Sequence, residues 1–274
     1  VRNLLLYLFI ILHYHVYAIT IISWNIRDFG HTKDDQDIKN IANLIRNADI
    51  VAIQEVVGKH PGGAKAVARL ADQLNRMGSK WDYVISDPTN STSPQKSERY
   101  AYLWKTANIQ ITGGGPRLLT ELAQSVEREP FLIQFKVKGT ILNILNYHAC
   151  THTDEFPERS EILRISEWLL TQNLSNIIWA GDMNLEIRDV AFKGILKNGF
   201  SNVFNGQKTT IKRSCVDGNY LSRAEDNILY SLTDFKFSSS RIIDFVEGGD
   251  CNDVSWKWMK FSDHLGLEME IDRR

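Results

Sequence analysis

Five β-type apolar runs in this chain each adjoin a short polar segment, and no other feature constrains the fold as strongly. The segments are Ser23-Trp24-Asn25, Gln54-Glu55, Asn146-Tyr147-His148, Gly181-Asp182-Met183-Asn184 and Ser262-Asp263-His264. Strands that deliver Asn, Glu, His and Asp at their ends can build one polar site at one edge of a sheet core. Carboxylate and amide oxygens are hard ligands for Mg²⁺, and imidazoles can move protons. Together they suit a metal-assisted attack on a phosphodiester.

The chain between these segments alternates strands and helices. The run 19–24 is β-branched and apolar, as in a strand buried on both faces. Ile38, Ile41, Ala42 and Ile45 follow helical spacing, with Asp34, Asp35 and Asp37 at the favoured end of the helix dipole. Residues 50–53 form the next strand. Val67, Leu70, Ala71 and Leu74 mark a second helix, ended by Gly78. Further strands are predicted at 83–85, 100–104 and 109–111, and a hairpin at 131–137 and 141–147. A third helix follows Pro157 through Ile162, Ile165 and Leu169, then a strand at 177–180 and a helix near 190–196. The last third holds strands at 227–232, 235–237 and 267–271. Residues 87–97, 113–117 and 212–223 read as loops. Hairpins mixed with strand–helix–strand units predict an α/β protein with helices outside packed sheets. No linker divides the chain.

The 274 residues contain 43% apolar and 24% charged side chains, enough for a large core. The net charge of −1 excludes a polycation that coats nucleic acid, so any such binding needs a local patch or a bound metal. Three cysteines, Cys150, Cys215 and Cys251, exclude a disulfide-dense scaffold and allow one internal bridge at most. Residues 1–18 have the pattern of a secretory signal: Arg2, an apolar run over 4–12, then Val16-Tyr17-Ala18 at a cleavage point. The apolar run is short for a bilayer span. The expectation is therefore a signal peptide at 1–18, a catalytic domain at 19–274, and a secreted or periplasmic protein with no membrane attachment after cleavage.

Singly, each polar residue has an ordinary reading. Glu55 alone would be a solvated surface carboxylate. Gly181-Asp182-Met183-Asn184 alone would be an Asx-type turn. Ser262-Asp263-His264 alone would be a loop with a helix cap. A lone histidine is usually structural. Two imidazoles change this, because hydrolysis needs one group near the nucleophile and one near the leaving oxygen. His148 and His264 are the candidates, with Glu98 and Asp226 able to orient them. His152 competes with His148, which is preferred because it directly follows a strand.

These motifs resemble those of the endonuclease/exonuclease/phosphatase superfamily, and within it the deoxyribonuclease I branch. Asn25-Ile26-Arg27-Asp28-Phe29-Gly30 is similar to that branch's opening motif, and Gln54-Glu55-Val56 to its metal segment. Ser97-Glu98-Arg99-Tyr100 resembles the segment whose Glu supports a catalytic His. Arg128-Glu129-Pro130 resembles a phosphate-contacting loop. His148, Asp182 with Asn184, Asp226, and Asp263 with His264 follow in family order. The resemblance implies a four-layer α/β sandwich of two central mixed sheets flanked by helices. It implies Mg²⁺ or Mn²⁺ at Glu55, with Asn25 and Asp263 nearby, and Ca²⁺ as a candidate structural ion. Asp182 and Asn184 would hold the scissile phosphate or a second metal. His148 with Glu98, and His264 with Asp226, would share proton transfer. Arg27, Arg99, Arg128 and Asn184 would bind substrate. The implied activity is a monomeric endonuclease on double-stranded DNA, with little sequence preference and 5′-phosphate and 3′-hydroxyl products.

The chain also departs from the branch. Val57 stands where a minor-groove Arg is usual, and Lys96 or Ser97 where an aromatic packs on the sugar. Cys215 lies near a family disulfide cysteine, but the usual partner position near Ile187 is not Cys, which leaves Cys251 open as a partner. Residues 212–223 resemble an insertion before Asp226. A phosphoesterase acting on sphingomyelin or inositol phosphates is the main alternative; its expected aromatic hairpin has only Trp256-Lys257-Trp258-Met259 as a candidate, which reads rather as core or helix packing. A binding module without catalysis would not need the complete metal and proton-transfer set.

Overall fold

The computed structural model describes residues 18–93, 97–151, 157–246 and 251–274. In chain order its elements begin with β1 (Ala18–Phe29), α1 (Asp35–Ile45), β2 (Ile50–Val57), α2 (Gly62–Asn75), β3 (Trp81–Ile85) and β4 (Glu98–Lys105). Next come β5 (Ile109–Ile111), β6 (Arg117–Leu118), β7 (Phe131–Val137), β8 (Thr140–His148), α3 (Glu158–Thr171), β9 (Ile177–Asp182) and α4 (Lys193–Lys197). The chain ends through β10 (Ser201–Asn202), β11 (Ile211–Val216), β12 (Asn219–Leu221), β13 (Asp226–Ser231), β14 (Phe235–Ile243), α5 (Cys251–Lys260) and β15 (Gly266–Arg273).

Two mixed sheets form the centre. The first runs β14-β15-β1-β2-β4-β3, and the second β10-β13-β9-β8-β7-β5 with β6 beside β7. Their inner faces meet in one apolar layer, where Ile21, Ala52 and Tyr102 oppose Phe131, Ile144 and Ile178. On the outer face of the first sheet, Ile22 and Val51 pack on Ile38 and Ile41 of α1 and Val67 and Leu70 of α2. On the outer face of the second, Leu145 and Trp179 pack on Ile162 and Ile165 of α3. The result is the expected four-layer order of helices, sheet, sheet, helices. Each large apolar side chain fully buried in these layers contributes about 1.5–3 kcal/mol. Among the described residues, no helix is long and apolar enough to cross a membrane.

Local signals explain the helix starts. Asp34 caps α1 by accepting from the Asp37 amide at 2.9 Å, and Asp37 accepts from the Asp34 amide at 3.0 Å. This reciprocal pair satisfies two donors that the first helical turn leaves free. Near 190–196 the chain enters through a 3-10 turn, Val190–Phe192, before α4.

Two readings need correction. Residues 212–223 are largely not loop: β11 and β12 form an antiparallel hairpin. Its turn is Asp217-Gly218, both with positive φ, the backbone that matches strand twist in a tight hairpin. The exposed residues on β11 concealed it, because no apolar alternation marked a buried face. For Trp256-Lys257-Trp258-Met259 the core reading fails at Trp256 and Met259, 46% and 50% exposed, while helix packing holds, with Trp256 against Phe261 and Trp258 on Val254 and Leu265. Cys215 and Cys251 join the hairpin to α5 by a disulfide, and Cys150 is buried outside it. The signal-peptide reading over 1–17 lies outside the described residues, as do Lys96 and His152. Ala18 is described; it begins β1 opposite Asp272.

Candidate active site

Strand periodicity brings the site together. Side chains two apart share a sheet face. In the second sheet, Ile144 and Asn146 lead to His148, Ile178 and Ala180 lead to Asp182, and Ile228 leads back to Asp226. Register puts these three ends in one row: His148 is opposite Asp182, and Asp182 opposite Asp226. In the first sheet, Ile21 and Ser23 lead to Asn25, Ala52 to Gln54, and Tyr102 and Tyr100 to Glu98. Polar groups at one end of the interlayer core therefore face each other across the two sheets. Asn25 Nδ2 donates to Asp182 Oδ2 at 3.0 Å, and Gln54 Nε2 to Asn146 Oδ1 at 2.6 Å.

Glu55 breaks the periodicity. Pairing of β2 shifts between Ile53 and Val56, and Glu55 has φ +58°. A bulge of this kind redirects one side chain at the cost of local strain. The Glu55 carboxylate accepts from Asn25 Nδ2 and from the Asp28 amide, each at 3.1 Å. Burial, reinforced by the neighbouring Glu98 carboxylate, raises its pKa. At Gly181 φ is +148°, and a Cβ there would overlap the Tyr147 carbonyl oxygen. Glycine is thus required for Asp182 to end β9 in this row.

The two imidazoles have matching settings. His148 Nδ1 lies 2.8 Å from Glu98 Oε2, and His264 Nδ1 lies 2.9 Å from Asp226 Oδ2. The opposite ring nitrogens both face Asp182 Oδ2, at 3.4 Å from His148 Nε2 and 3.5 Å from His264 Nε2. Burial opposes charge on both rings, but Glu98 raises the pKa of His148, and Asp226 with Asp182 raises that of His264 well above its usual value. Glu98 is held below the usual carboxylate range: burial opposes this, but His148 and Arg128 outweigh it. Asp226 is pushed up to about 6 by burial, against the pull of His264.

Arg128 lies 3.1 Å from Glu98 Oε1 and donates to the Ala149 carbonyl at 3.1 Å. Asn184, with φ +46°, donates its side-chain amide to the same carbonyl at 2.9 Å, while its backbone amide donates to Asp182 Oδ1. Arg27 lies over the Trp258 ring and 4.0 Å from Asp263 Oδ2. Arg99 is directed elsewhere: it donates to the Ser86 carbonyl at 2.7 Å. Two contributors were missed from sequence. Thr209 Oγ1 donates to Asp226 Oδ2 at 2.6 Å, and Trp258 supports Arg27. Thr209 has no sequence signature; pairing of its segment with the His264 segment positions it.

The donor chemistry fits a divalent cation. Among the described residues two groups have ligand atoms within 4.8 Å of one another: Glu55, Glu98 and His148, and Asp182, Asp226 and His264. Asn25 Oδ1 is buried without a hydrogen-bond partner among the described residues. An orphaned amide oxygen next to a buried carboxylate is what a hard cation would satisfy. Asp263 belongs to neither group, yet it is near enough to raise the pKa of Glu55.

This fold and site define a hydrolase with an active site suited to a divalent metal. The chain belongs to the Endonuclease/Exonuclease/phosphatase family, whose model matches residues 22–264. It is 31% identical over 173 residues to a deoxyribonuclease of Thioalkalivibrio sp. (strain K90mix), covering 60% of this chain and 45% of that protein. It thus spans less than half the length of that relative. It is 22% identical to deoxyribonuclease gamma of Rattus norvegicus over 97% of this chain and 88% of the relative. Among solved structures, the human Nocturnin catalytic domain has a TM-score of 0.65 at 16% identity, covering 94% of this chain and 95% of that one. TDP2 of D. rerio, complexed with a single-strand DNA product, has a TM-score of 0.63 at 17% identity, with 93% and 98% coverage. These structural likenesses show the fold.

Proposed function

We propose that this protein is a secreted, metal-dependent endonuclease of the deoxyribonuclease I branch. In this reading it hydrolyses DNA with little sequence preference and leaves 5′-phosphate and 3′-hydroxyl ends. The observation that supports it best is the pair of carboxylate-tied imidazoles facing one another across Asp182. Such a pair can serve both oxygens of an in-line displacement.

Glu55, Asn25 and Asp263 would hold Mg²⁺ or Mn²⁺, which when bound neutralises charge gathering on the phosphate oxygens. Arg128 and Asn184 border the same space and would orient the phosphate, while Asn25 braces Asp182. One imidazole takes a proton from the attacking water through Nε2 as the water oxygen bonds to phosphorus. The other gives a proton to O3′ as the P–O3′ bond breaks. Glu98 and Asp226 fix each ring with Nδ1 turned away from substrate.

The test is plasmid DNA with and without EDTA, beside sphingomyelin and an inositol phosphate. Metal-dependent nicking with ligatable 5′-phosphate ends is expected. Rapid turnover of either control with intact plasmid would transfer the assignment to that substrate. Export agrees with the Arg2, 4–12, Ala18 pattern and with a disulfide, which persists in oxidising compartments. Mass spectrometry of the mature N-terminus should find cleavage after Ala18; an unprocessed cytoplasmic product would refute export.

A further inference from the structure

The β11–β12 hairpin lies outside the two central sheets, yet it is attached to the catalytic segments. Ile211 N donates to the Asp263 carbonyl and Leu265 N to the Thr209 carbonyl, each at 2.7 Å. Thr210 and His264 form an antiparallel bridge between these two bonds. Further out, the Cys215–Cys251 disulfide fixes the hairpin to α5. Ile211, Val254 and Leu265 share a small apolar cluster on which Trp258 packs. Hairpin and helix therefore make a braced arm beside the His264–Asp226 half of the site.

Basic side chains gather where the arm meets β1. The Arg27 guanidinium carbon lies 3.7 Å from the Trp258 ring centre, and that of Arg213 lies 5.6 Å from it. Two like charges are gathered on one indole, whose electron-rich face offsets part of their repulsion. Lys212 is exposed beside Arg213 and contacts the Asn219 side chain. Among the described residues Lys212, Arg213 and Lys257 have no carboxylate within ion-pair distance. Planar guanidiniums held at a fixed separation suit phosphate oxygens on one strand.

We propose that this arm grips the phosphodiester backbone of duplex DNA on the His264 side of the scissile phosphate, with Arg213 as its own phosphate ligand and Trp258 setting the geometry of Arg213 and Arg27. The proposal rests on the nuclease reading. It extends the substrate path onto an element outside the central sheets, in a chain where Val57 offers no guanidinium on the Glu55 side. Continuity with the Asp263–His264 segment and the unneutralised charge favour a strand leaving the catalytic centre as the occupant.

Cleavage of a labelled duplex across a salt series tests this with wild type, Arg213→Ala, Arg213→Glu and Arg213→Lys. Lys197→Ala removes one charge from α4 as a control. Arg213→Ala should raise KM about tenfold, as for loss of a charge-assisted contact. It should also lower the slope of log KM against log salt by about 0.9, the share of one phosphate. Arg213→Glu should be worse, and Arg213→Lys should keep most of the slope. Unchanged KM and slope in both Arg213→Ala and Arg213→Glu, with an active wild type, would overturn the arm alone. Wild type inactive on DNA while hydrolysing bis(p-nitrophenyl) phosphate would overturn DNA as substrate and the arm with it. Co-sedimentation with phosphatidylserine vesicles that Arg213→Ala abolishes, at unchanged KM for DNA, would assign the arm to membranes instead.

Discussion

Asp226→Asn changes one atom and should disable His264. Thr209 Oγ1 accepts from the backbone amides of Asp226 and Glu225, at 3.1 and 3.3 Å, so its own proton goes to Asp226 Oδ2. That position must stay an acceptor, and the new amide nitrogen must take the place of Oδ1, 3.1 Å from His264 Nδ1. Nδ1–H then meets an amide donor at one position and keeps an acceptor only at the Oδ2 position, 2.9 Å away, so the hold on the ring tautomer is weakened and a proton on Nε2 competes. The imidazolium also loses the carboxylate that most raises its pKa. Loss of general acid–base action is worth about 10²–10⁴ in turnover, or about 3–5 kcal/mol of barrier. The metal-free protein gives a second readout. A folded-state pKa above the unfolded value gives stability that is full below about pH 6.5 and lost as pH rises through the folded value. Wild type should therefore lose melting temperature as pH rises from about 6.5, and Asp226→Asn should lose less. Steady-state nicking and melting curves in EDTA measure both. Turnover within threefold of wild type, with an unchanged pH slope of stability, would refute this account of His264.

Glu55→Gln removes the carboxylate proposed to bind metal and keeps its shape. Nicking should fall by about 10²-fold or more, while the melting temperature in EDTA changes little, because relief of the unfavourable charge is offset by the one acceptor that the amide turns into a donor; full wild-type activity in EDTA would contradict a metal mechanism. His148→Ala and His264→Ala should each lower turnover by roughly 10²-fold or more. The double variant should cost far less than the product of the two, since groups acting as a unit are not additive, and multiplicative losses in single-turnover kinetics would separate their roles. Phosphate contacts from Arg27 and Arg128 should make activity fall steeply between low and physiological salt. Val57→Arg should tighten duplex binding and alter mapped cut sites; salt-insensitive cleavage or an unchanged map would remove the groove argument.

Much of this site could be read from strand parity. The inward positions of the core runs end on Asn25, His148, Asp182 and Asp226, so the residues chosen for their chemistry also lie where period two delivers them. Two features escaped that rule, Glu55 and the hairpin, and the substrate-binding reading of Arg99 ran against it. Glu55 reaches the site through a bulge, and its positive φ is decided by tertiary pairing on both sides of β2. Arg99 is next to Glu98, so alternation turns it to the other face, where the Ser86 carbonyl receives it. The hairpin had a readable turn in Asp217-Gly218, but its polar strand offered no buried face to a search for apolar alternation.

The candidate catalytic groups are split between the two sheets. The first supplies Asn25, Glu55 and Glu98, with Asp263 and His264 just before β15; the second supplies His148, Asp182 and Asp226. Both imidazole–carboxylate pairs cross the seam: Glu98 of the first sheet holds His148 of the second, and Asp226 of the second holds His264 beside the first. Asn25 to Asp182 and Gln54 to Asn146 cross it as well. A shift of one sheet against the other would therefore break both imidazole–carboxylate pairs together. Close-packed interlayer side chains such as Tyr102 and Phe131, with ring centres 5.4 Å apart, resist that shift. Their packing fixes the spacing of the two imidazole–carboxylate pairs, on which the proposed proton transfer would depend. The site thus inherits its rigidity from the core between the sheets, and unusual backbone at Glu55, Gly181 and Asn184 completes it.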